Sequence, residues 1–280
     1  MFTVRKMSVK DFSFAVSLTD TMNWDMADED FEFMTQLEPE GCLVLLDDSE
    51  KVGIATTISF GELGWLGNVI VRESNRGRGS GSTLVKHAIE YLKGRGVKTI
   101  GLYGYIERIP FYFRHGFVYD SEFIVLKGGK LSASPSAVHL REVGRDDFQD
   151  IVALDSLCFG ASRRRLLERI LLGSGNLCYV YRDGGQMLGF VMAKVYEEMA
   201  EVGPLVCARQ HEEVAVDLLK AIVSRLKGLE ASICVLANEP GMITALKSFG
   251  FREDFHLARM FHGPPVVSDC VYVAESLERG

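Results

Sequence analysis

The chain lacks any apolar run approaching the ~18 uncharged residues that a membrane-crossing helix needs. The opening Met1-Phe2-Thr3-Val4-Arg5-Lys6 is likewise not followed by the apolar core of an export signal, so neither export nor a membrane partner is expected. Cationic excess is missing too: 31 lysines and arginines face 38 aspartates and glutamates, a formal net charge of −7. A surface built to grip the nucleic-acid backbone needs the opposite balance, and nucleic acid is excluded as the main partner. Cysteine is sparse and unpatterned. Cys42, Cys158, Cys178, Cys207, Cys234 and Cys270 contain no C-x-x-C pair, so no metal is expected, and in a chain this long they read as reduced core thiols of a cytoplasmic protein. Low-complexity sequence is nearly absent, and 47% hydrophobic with 25% charged residues is the composition of an ordinary globular protein.

What is present amounts to two domains. Domains usually fall near ~100–150 residues, and 280 residues accommodate a pair. The one solvated connector, Gly128-Gly129-Lys130-Leu131-Ser132-Ala133-Ser134-Pro135-Ser136, divides the chain into 1–127, a linker at 128–136, and 137–280. The two sides echo each other. Val4-Arg5 through Asp11-Phe12 returns as Leu140-Arg141 through Asp147-Phe148, Val52-Gly53 returns as Leu188-Gly189, and Gly116-Phe117 returns as Gly250-Phe251. Landmarks that keep register across most of a domain indicate a duplicated fold.

Periodicity supplies the elements of each copy: strand, helical region, two strands, helix, strand, and a final helix-turn-strand. Leu43 to Leu46 and Gly53 to Ile58 are apolar, β-branched runs joined by Asp47-Asp48-Ser49, the pattern of a hairpin. Trp65 to Val71 makes a third strand. Leu84, Val85, Ala88, Ile89 and Leu92 share one helical face, Gly94 and Gly96 stop that helix, and Val97 to Tyr105 reads as the next strand.

Between the third strand and its helix lies Arg76-Gly77-Arg78-Gly79-Ser80-Gly81. Three glycines at alternate positions let the backbone bend sharply and leave its N–H groups bare, while the following helix adds its positive end. Arg76 and Arg78 add charge, and Ser82 and Thr83 add hydroxyls. A pyrophosphate is the expected ligand. A nucleoside-triphosphate loop needs G-x-x-x-x-G-K-[ST], and here no lysine precedes Ser82-Thr83. A dinucleotide fingerprint needs G-x-G-x-x-G near the start of a βαβ unit, whereas this G-x-G-x-G follows an antiparallel hairpin deep in the domain.

The segment resembles the R-x-x-G-x-G motif of the Gcn5-related N-acetyltransferase (GNAT) family through Arg76, Gly79 and Gly81, after the strand Val69-Ile70-Val71. Phe111-Tyr112-Phe113-Arg114-His115-Gly116-Phe117 is similar to the family's late helix and turn, in which a tyrosine stands four residues before Gly-Phe. The resemblance covers about Val4 to Leu126. It implies an α+β fold of two tandem GNAT-like domains, each a mostly antiparallel sheet flanked by helices, and an acetyltransferase using acetyl-CoA without a metal. By the same resemblance, Val69, Ile70 and Val71 hold the pantetheine arm, a backbone N–H near Ile70 faces the thioester oxygen, and Arg76, Gly77, Arg78, Gly79, Ser80, Gly81 and Ser82 hold the phosphates. Tyr112 is then the general acid for the departing thiolate. The chain departs from the family where an asparagine is frequent and Tyr105 stands instead.

Trp24 and Asp25 fall where the family places its acceptor-binding loop, and an aromatic ring beside an anion suits a cationic amine; a core tryptophan with an N-cap aspartate explains them as well. For the base, Asp25, Glu62, Glu73 and Glu107 are all conceivable and none is singled out. In the second copy, Arg209-Gln210-His211-Glu212-Glu213-Val214 stands opposite the glycine turn and Leu246 opposite Tyr112. Glycine-free and acidic, that site is expected to be silent, leaving the copy to packing, to shaping the acceptor cleft, or to a homodimer contact. The acceptor is expected to be a small-molecule, peptide or protein amine. A non-catalytic acyl-CoA sensor is the alternative of a different class, with a nucleotide-binding switch more remote.

Overall fold

The computed structural model describes residues 1–24, 26–128, 139–226, 228–266 and 270–280. In the first half, β1 (Phe2–Lys6) leads to α1 (Phe12–Asp20) and α2 (Asp28–Leu37), followed by the meander β2 (Leu43–Asp47), β3 (Glu50–Phe60) and β4 (Leu63–Val71). Then come α3 (Ser80–Gly94), β5 (Thr99–Tyr105), α4 (Ile109–Phe113) and β6 (Val118–Gly128). The second half repeats the order: β7 (Leu140–Glu142), α5 (Phe148–Phe159), α6 (Arg164–Leu172), β8 (Leu177–Asp183), β9 (Gln186–Val195), β10 (Met199–Ala208), α7 (Glu212–Arg225), β11 (Glu230–Leu236), α8 (Pro240–Ser248) and β12 (Arg252–His262), with β13 (Cys270–Val273) added. The expected hairpin and third strand form where the apolar runs placed them. The expected apolar face of α3 is buried through Leu84, Val85, Ala88 and Leu92, each fully so, and such side chains contribute roughly 1.5–3 kcal/mol apiece when removed from water. Gly96, at φ +87°, makes the reversal after α3.

The sequence echo has a structural cause. Arg5 donates two bonds to Asp11, at 2.7 and 2.8 Å, and the Ser8 N–H donates a third at 2.9 Å. Arg141 and the Gly144 N–H hold Asp147 in the same way, at 2.7, 2.9 and 2.7 Å. In each copy this clasp fixes the angle between the first strand and the first helix.

Among the described residues the strands form one sheet of thirteen, in the order β1-β2-β3-β4-β5-β12-β6-β11-β13-β10-β9-β8-β7. The halves exchange strands. β12, from the second half, lies antiparallel between β5 and β6, while β6, from the first, runs antiparallel against β11. The sequence boundary is therefore not a boundary in space. Of the expected linker, Gly128 still pairs with Ala231 as the last residue of β6; residues 129–136 lie outside the described residues.

The cysteine expectation needs one correction. Cys158, on α5, and Cys270, on β13, form a disulfide with Cα atoms 5.8 Å apart, while Cys42, Cys178, Cys207 and Cys234 are free and buried. The exchange and the placement of β13 bring together two residues 112 positions apart, which no local spacing reveals.

Asp11 is held well below the usual carboxylate range, first by the Arg5 hydrogen bonds against the opposing effect of burial. For Asp147 burial acts upward, and the Arg141 and Gly144 bonds outweigh it to leave the group at about 2. A depressed carboxylate stabilises the fold above its unfolded value and loses that contribution as pH falls through the folded one. Asp147→Asn is expected to cost about 1–3 kcal/mol at pH 7, and chemical denaturation repeated between about pH 4 and 2 should show its gap from the unsubstituted chain closing.

Candidate active site

The site begins where two parallel strands part. β4 and β5 pair only at Leu63 to Trp65 against Thr99 to Gly101. The Trp65 ring fills the fork, so close to Gly101 that a Cβ there would stand 2.2 Å from it. Beyond the fork β4 bulges: its register with β3 shifts between the Ile54–Ile70 and Thr56–Gly67 pairs, and Asn68 takes a left-handed φ of 50°. A bulge re-aims side chains and frees backbone groups from the ladder. The Arg72 N–H donates to the Val52 carbonyl on β3 at 2.8 Å, so the peptide groups of Val71 turn the other way, toward the parted edge, where its carbonyl accepts from Arg76 Nε at 3.1 Å.

The gap opens into a cavity of about 590 Å³. Of the expected phosphate-side residues, Arg76, Gly77, Gly79, Ser80, Gly81 and Ser82 line it together with Val69, Ile70 and Val71. Gly77 and Gly79 take φ of +76° and +86° with nothing within 4 Å of where a Cβ would project, so the backbone there is bare to the cavity. Gly81 has ordinary helical geometry at the first turn of α3 and faces the Phe111 ring, 3.4 Å from its would-be Cβ. Two expected donors are committed elsewhere. Arg78 is not among the lining residues and pairs with Asp47 at 2.9 Å; the Ser80 hydroxyl donates to the Asn75 carbonyl at 2.7 Å and pins the turn.

Tyr112 lines the same cavity from α4. Its ring lies over β5 at Gly104, where a Cβ would stand 2.9 Å from it, and Phe111 and Phe117 pack edge-on around it. Burial pushes the Tyr112 hydroxyl up to about 12, with Arg108 acting weakly against it. The group is thus a protonated donor throughout the neutral range. Trp24 reaches the cavity from the loop between α1 and α2, and its indole N–H donates to the Tyr105 hydroxyl at 2.8 Å. The Tyr105 hydroxyl therefore ties this loop to the end of β5. Asp25 lies outside the described residues.

Three of the four candidate bases stand apart from the cavity. Glu62 pairs with Lys98 at 2.6 Å on the surface, and neither it nor Glu73 nor Glu107 lines the cavity. His115 sits beside Ser82, Nε2 to Oγ 3.0 Å. Carboxylates do reach the cavity, but from the second half: Glu201 on β10, Glu230 on β11 and Glu278 in the segment after β13. Sequence reasoning missed them because no motif marks them; only the strand exchange swings β10, β11 and residues 274–278 round to face β4 and β5.

The corresponding fork of the second half is closed. β10 and β11 pair from Met199 to Val202 against Glu230 to Ile233 and then part, but β13 enters the gap, pairing Leu205 to Ala208 with Val273 to Cys270 and Val235 with Val273. Glu212 and Glu213 occupy the first turn of α7, and Leu246, standing where Tyr112 stands in the first half, is fully buried.

The model of the acetyltransferase (GNAT) family matches residues 7–117, and that of an acetyltransferase (GNAT) domain matches residues 151–272. Holothin acyltransferase of Pseudoalteromonas sp. (strain SANK 73390) is 24% identical over 285 residues, covering 100% of this chain and 95% of its own. Among solved structures, a candidate acetyltransferase from Pyrococcus horikoshii superimposes with a TM-score of 0.83 at 22% identity, covering 100% of this chain and 96% of the other. A tandem GNAT protein from the clavulanic acid biosynthesis pathway superimposes with a TM-score of 0.67 at 14% identity, covering 95% and 100%. The two family matches together span most of the 280 residues and meet the same order of elements twice over, and the chain belongs to the GNAT acetyltransferase family as two of its domains in tandem.

Proposed function

We propose that the chain is an N-acyltransferase that moves an acetyl group from acetyl-CoA to the primary amine of a small-molecule or peptide acceptor, with the cavity of the first half as its site. One observation carries this reading: the bare-glycine turn at the start of α3 and the buried Tyr112 line one cavity, between strands that part beside them. The turn suits a pyrophosphate, since unshielded N–H groups and a helix N-terminus meet there. Arg76, Gly77, Gly79, Gly81 and Ser82 would hold the phosphates, and the free edge of β4 over Val69, Ile70 and Val71 would hold the amide-bearing arm. Bound acetyl-CoA supplies an acyl group activated as a thioester. Tyr112 holds its proton until sulfur departs and then donates it, while a β4 amide near Ile70 steadies the oxygen on which negative charge develops. The second fork, filled by β13 and Leu246, we take to be catalytically silent.

Two substitutions test the reading. Gly81→Glu puts a carboxylate at a position with ordinary backbone geometry, so the chain should fold while coenzyme A affinity falls by about 100-fold or more in calorimetry. Tyr112→Phe should lower kcat by roughly 100-fold, within the ~10²–10⁴ range of general acid catalysis, with coenzyme A affinity kept. Tight coenzyme A binding without thiol release on any amine would instead favour an acyl-CoA sensor.

We also propose a cytoplasmic location. Alkylation of the denatured protein should block four cysteines by mass before reduction and six after it, as the Cys158–Cys270 bond requires.

A further inference from the structure

The segment after β13 is laid along the floor of both forks. At Gly203 on β10 a Cβ would stand 1.9 Å from the Ala274 carbonyl oxygen, and at Gly67 on β4 it would stand 2.6 Å from Glu278 Cα. Gly67 immediately precedes the bulged Asn68, so the second half places a glutamate beside the bulge of the first half's site. Buried ion pairs hold the segment there. Glu275, fully buried, bonds Lys194 at 2.6 Å and Arg279 at 2.8 Å, and the Arg279 N–H donates to the Ser276 hydroxyl at 3.2 Å.

Carboxylates outnumber cations around this corner. Two cations, Lys194 of β9 and Arg279, face Glu201 of β10, Glu275 and Glu278, with Asp30 of α2 also within their field. Glu201 takes Lys194 at 2.5 Å and Glu275 takes both cations. Lys127 of β6, which also lines the cavity, pairs with Asp254 at 3.2 Å, and Glu230 of β11 adds further negative charge. Glu278 lines the cavity half-buried, and no ion pair with it forms among the described residues.

A second observation is independent of charge. Asn68 is 5% exposed, and neither its Oδ1 nor its Nδ2 has a hydrogen-bond partner, yet it lines the same cavity. A buried amide left unsatisfied is destabilising, and a ligand with polar hydrogens at this point removes that penalty.

We infer that Glu278, delivered by the second half onto β4 beside Asn68, receives the acceptor as an ammonium ion and takes its proton, so that the acceptor is a small primary amine that is cationic in solution. This rests on the acyltransfer reading above. Alkyl amines near pKa ~10.4 are almost wholly ammonium at neutral pH and cannot attack. The Glu278 carboxylate gains an O–H as the ammonium loses an N–H. The freed lone pair then forms the C–N bond to the thioester carbon as the C–S bond breaks. Tyr112 protonates the thiolate, the nitrogen's second proton restores Tyr112, and Glu278 releases its own to solvent. The proton balance is one amide, one thiol and one H⁺ from an ammonium and a thioester.

The test is steady-state thiol release by the full chain from acetyl-CoA over pH 6–10, with alkyl diamines and monoamines set against weakly basic aromatic amines. Glu278→Gln should lower kcat/KM for the alkyl amines by roughly 100-fold, leave coenzyme A affinity within about twofold, erase the preference for cationic over aromatic amines, and move the acid limb of the pH profile to higher pH. Asn68→Ala should raise KM for the amine more than it lowers kcat, and Glu278→Asp should recover part of the rate. Glu278→Gln with unaltered rate and pH profile overturns the inference, and so does its loss of coenzyme A binding, which marks a structural role. If the unsubstituted chain binds coenzyme A and transfers to no amine, the acyltransfer reading itself fails and this inference falls with it.

Discussion

Backbone hydrogen bonding across the strand exchange is the constraint on which the rest depends. Because β12 is zipped between β5 and β6, and β6 against β11, the halves cannot separate without breaking interior ladders of the sheet. The second half is thereby fixed as a wall of the first half's cavity. A polar corner such as that of Glu201, Glu275 and Glu278 needs that rigidity, since charges removed from water are tolerated only where their partners are held in place.

The two copies share one device and fill it differently. In each, parallel strands pair for a few residues and then part, with a glycine on the fourth strand pressed against the segment that follows β13. In the first copy the gap remains open and is lined by bare glycine backbone; in the second, β13 completes the ladder. Unpaired peptide groups in a buried gap must find partners. A strand of the same chain satisfies them permanently in one half, and the amides of a bound arm can satisfy them in the other.

Close approach recurs as the reason for glycine in this fold. Gly101 makes room for Trp65 and Gly104 for Tyr112, while Gly67 and Gly203 make room for residues 278 and 274. Burial then acts on chemistry: the enclosure that seats Tyr112 also keeps its hydroxyl protonated, so packing and acidity have one cause.

The sequence by itself determined the local part. The apolar periods of β2 to β4 and α3, the positive-φ turn at Gly77 and Gly79, the position of Tyr112 and the twofold Arg–Asp clasp follow from residues near one another in the chain, where stereochemistry and hydrophobic period leave little choice. Tertiary structure decided the rest: which strands exchange, that Cys158 meets Cys270, that Arg78 turns to Asp47, that Trp24 is tied to Tyr105, and that Glu201, Glu230 and Glu278 line the cavity instead of Glu62, Glu73 or Glu107. These pairings join residues tens to hundreds of positions apart, and pairing between strands is fixed by the register of the whole sheet, which no window of sequence encodes.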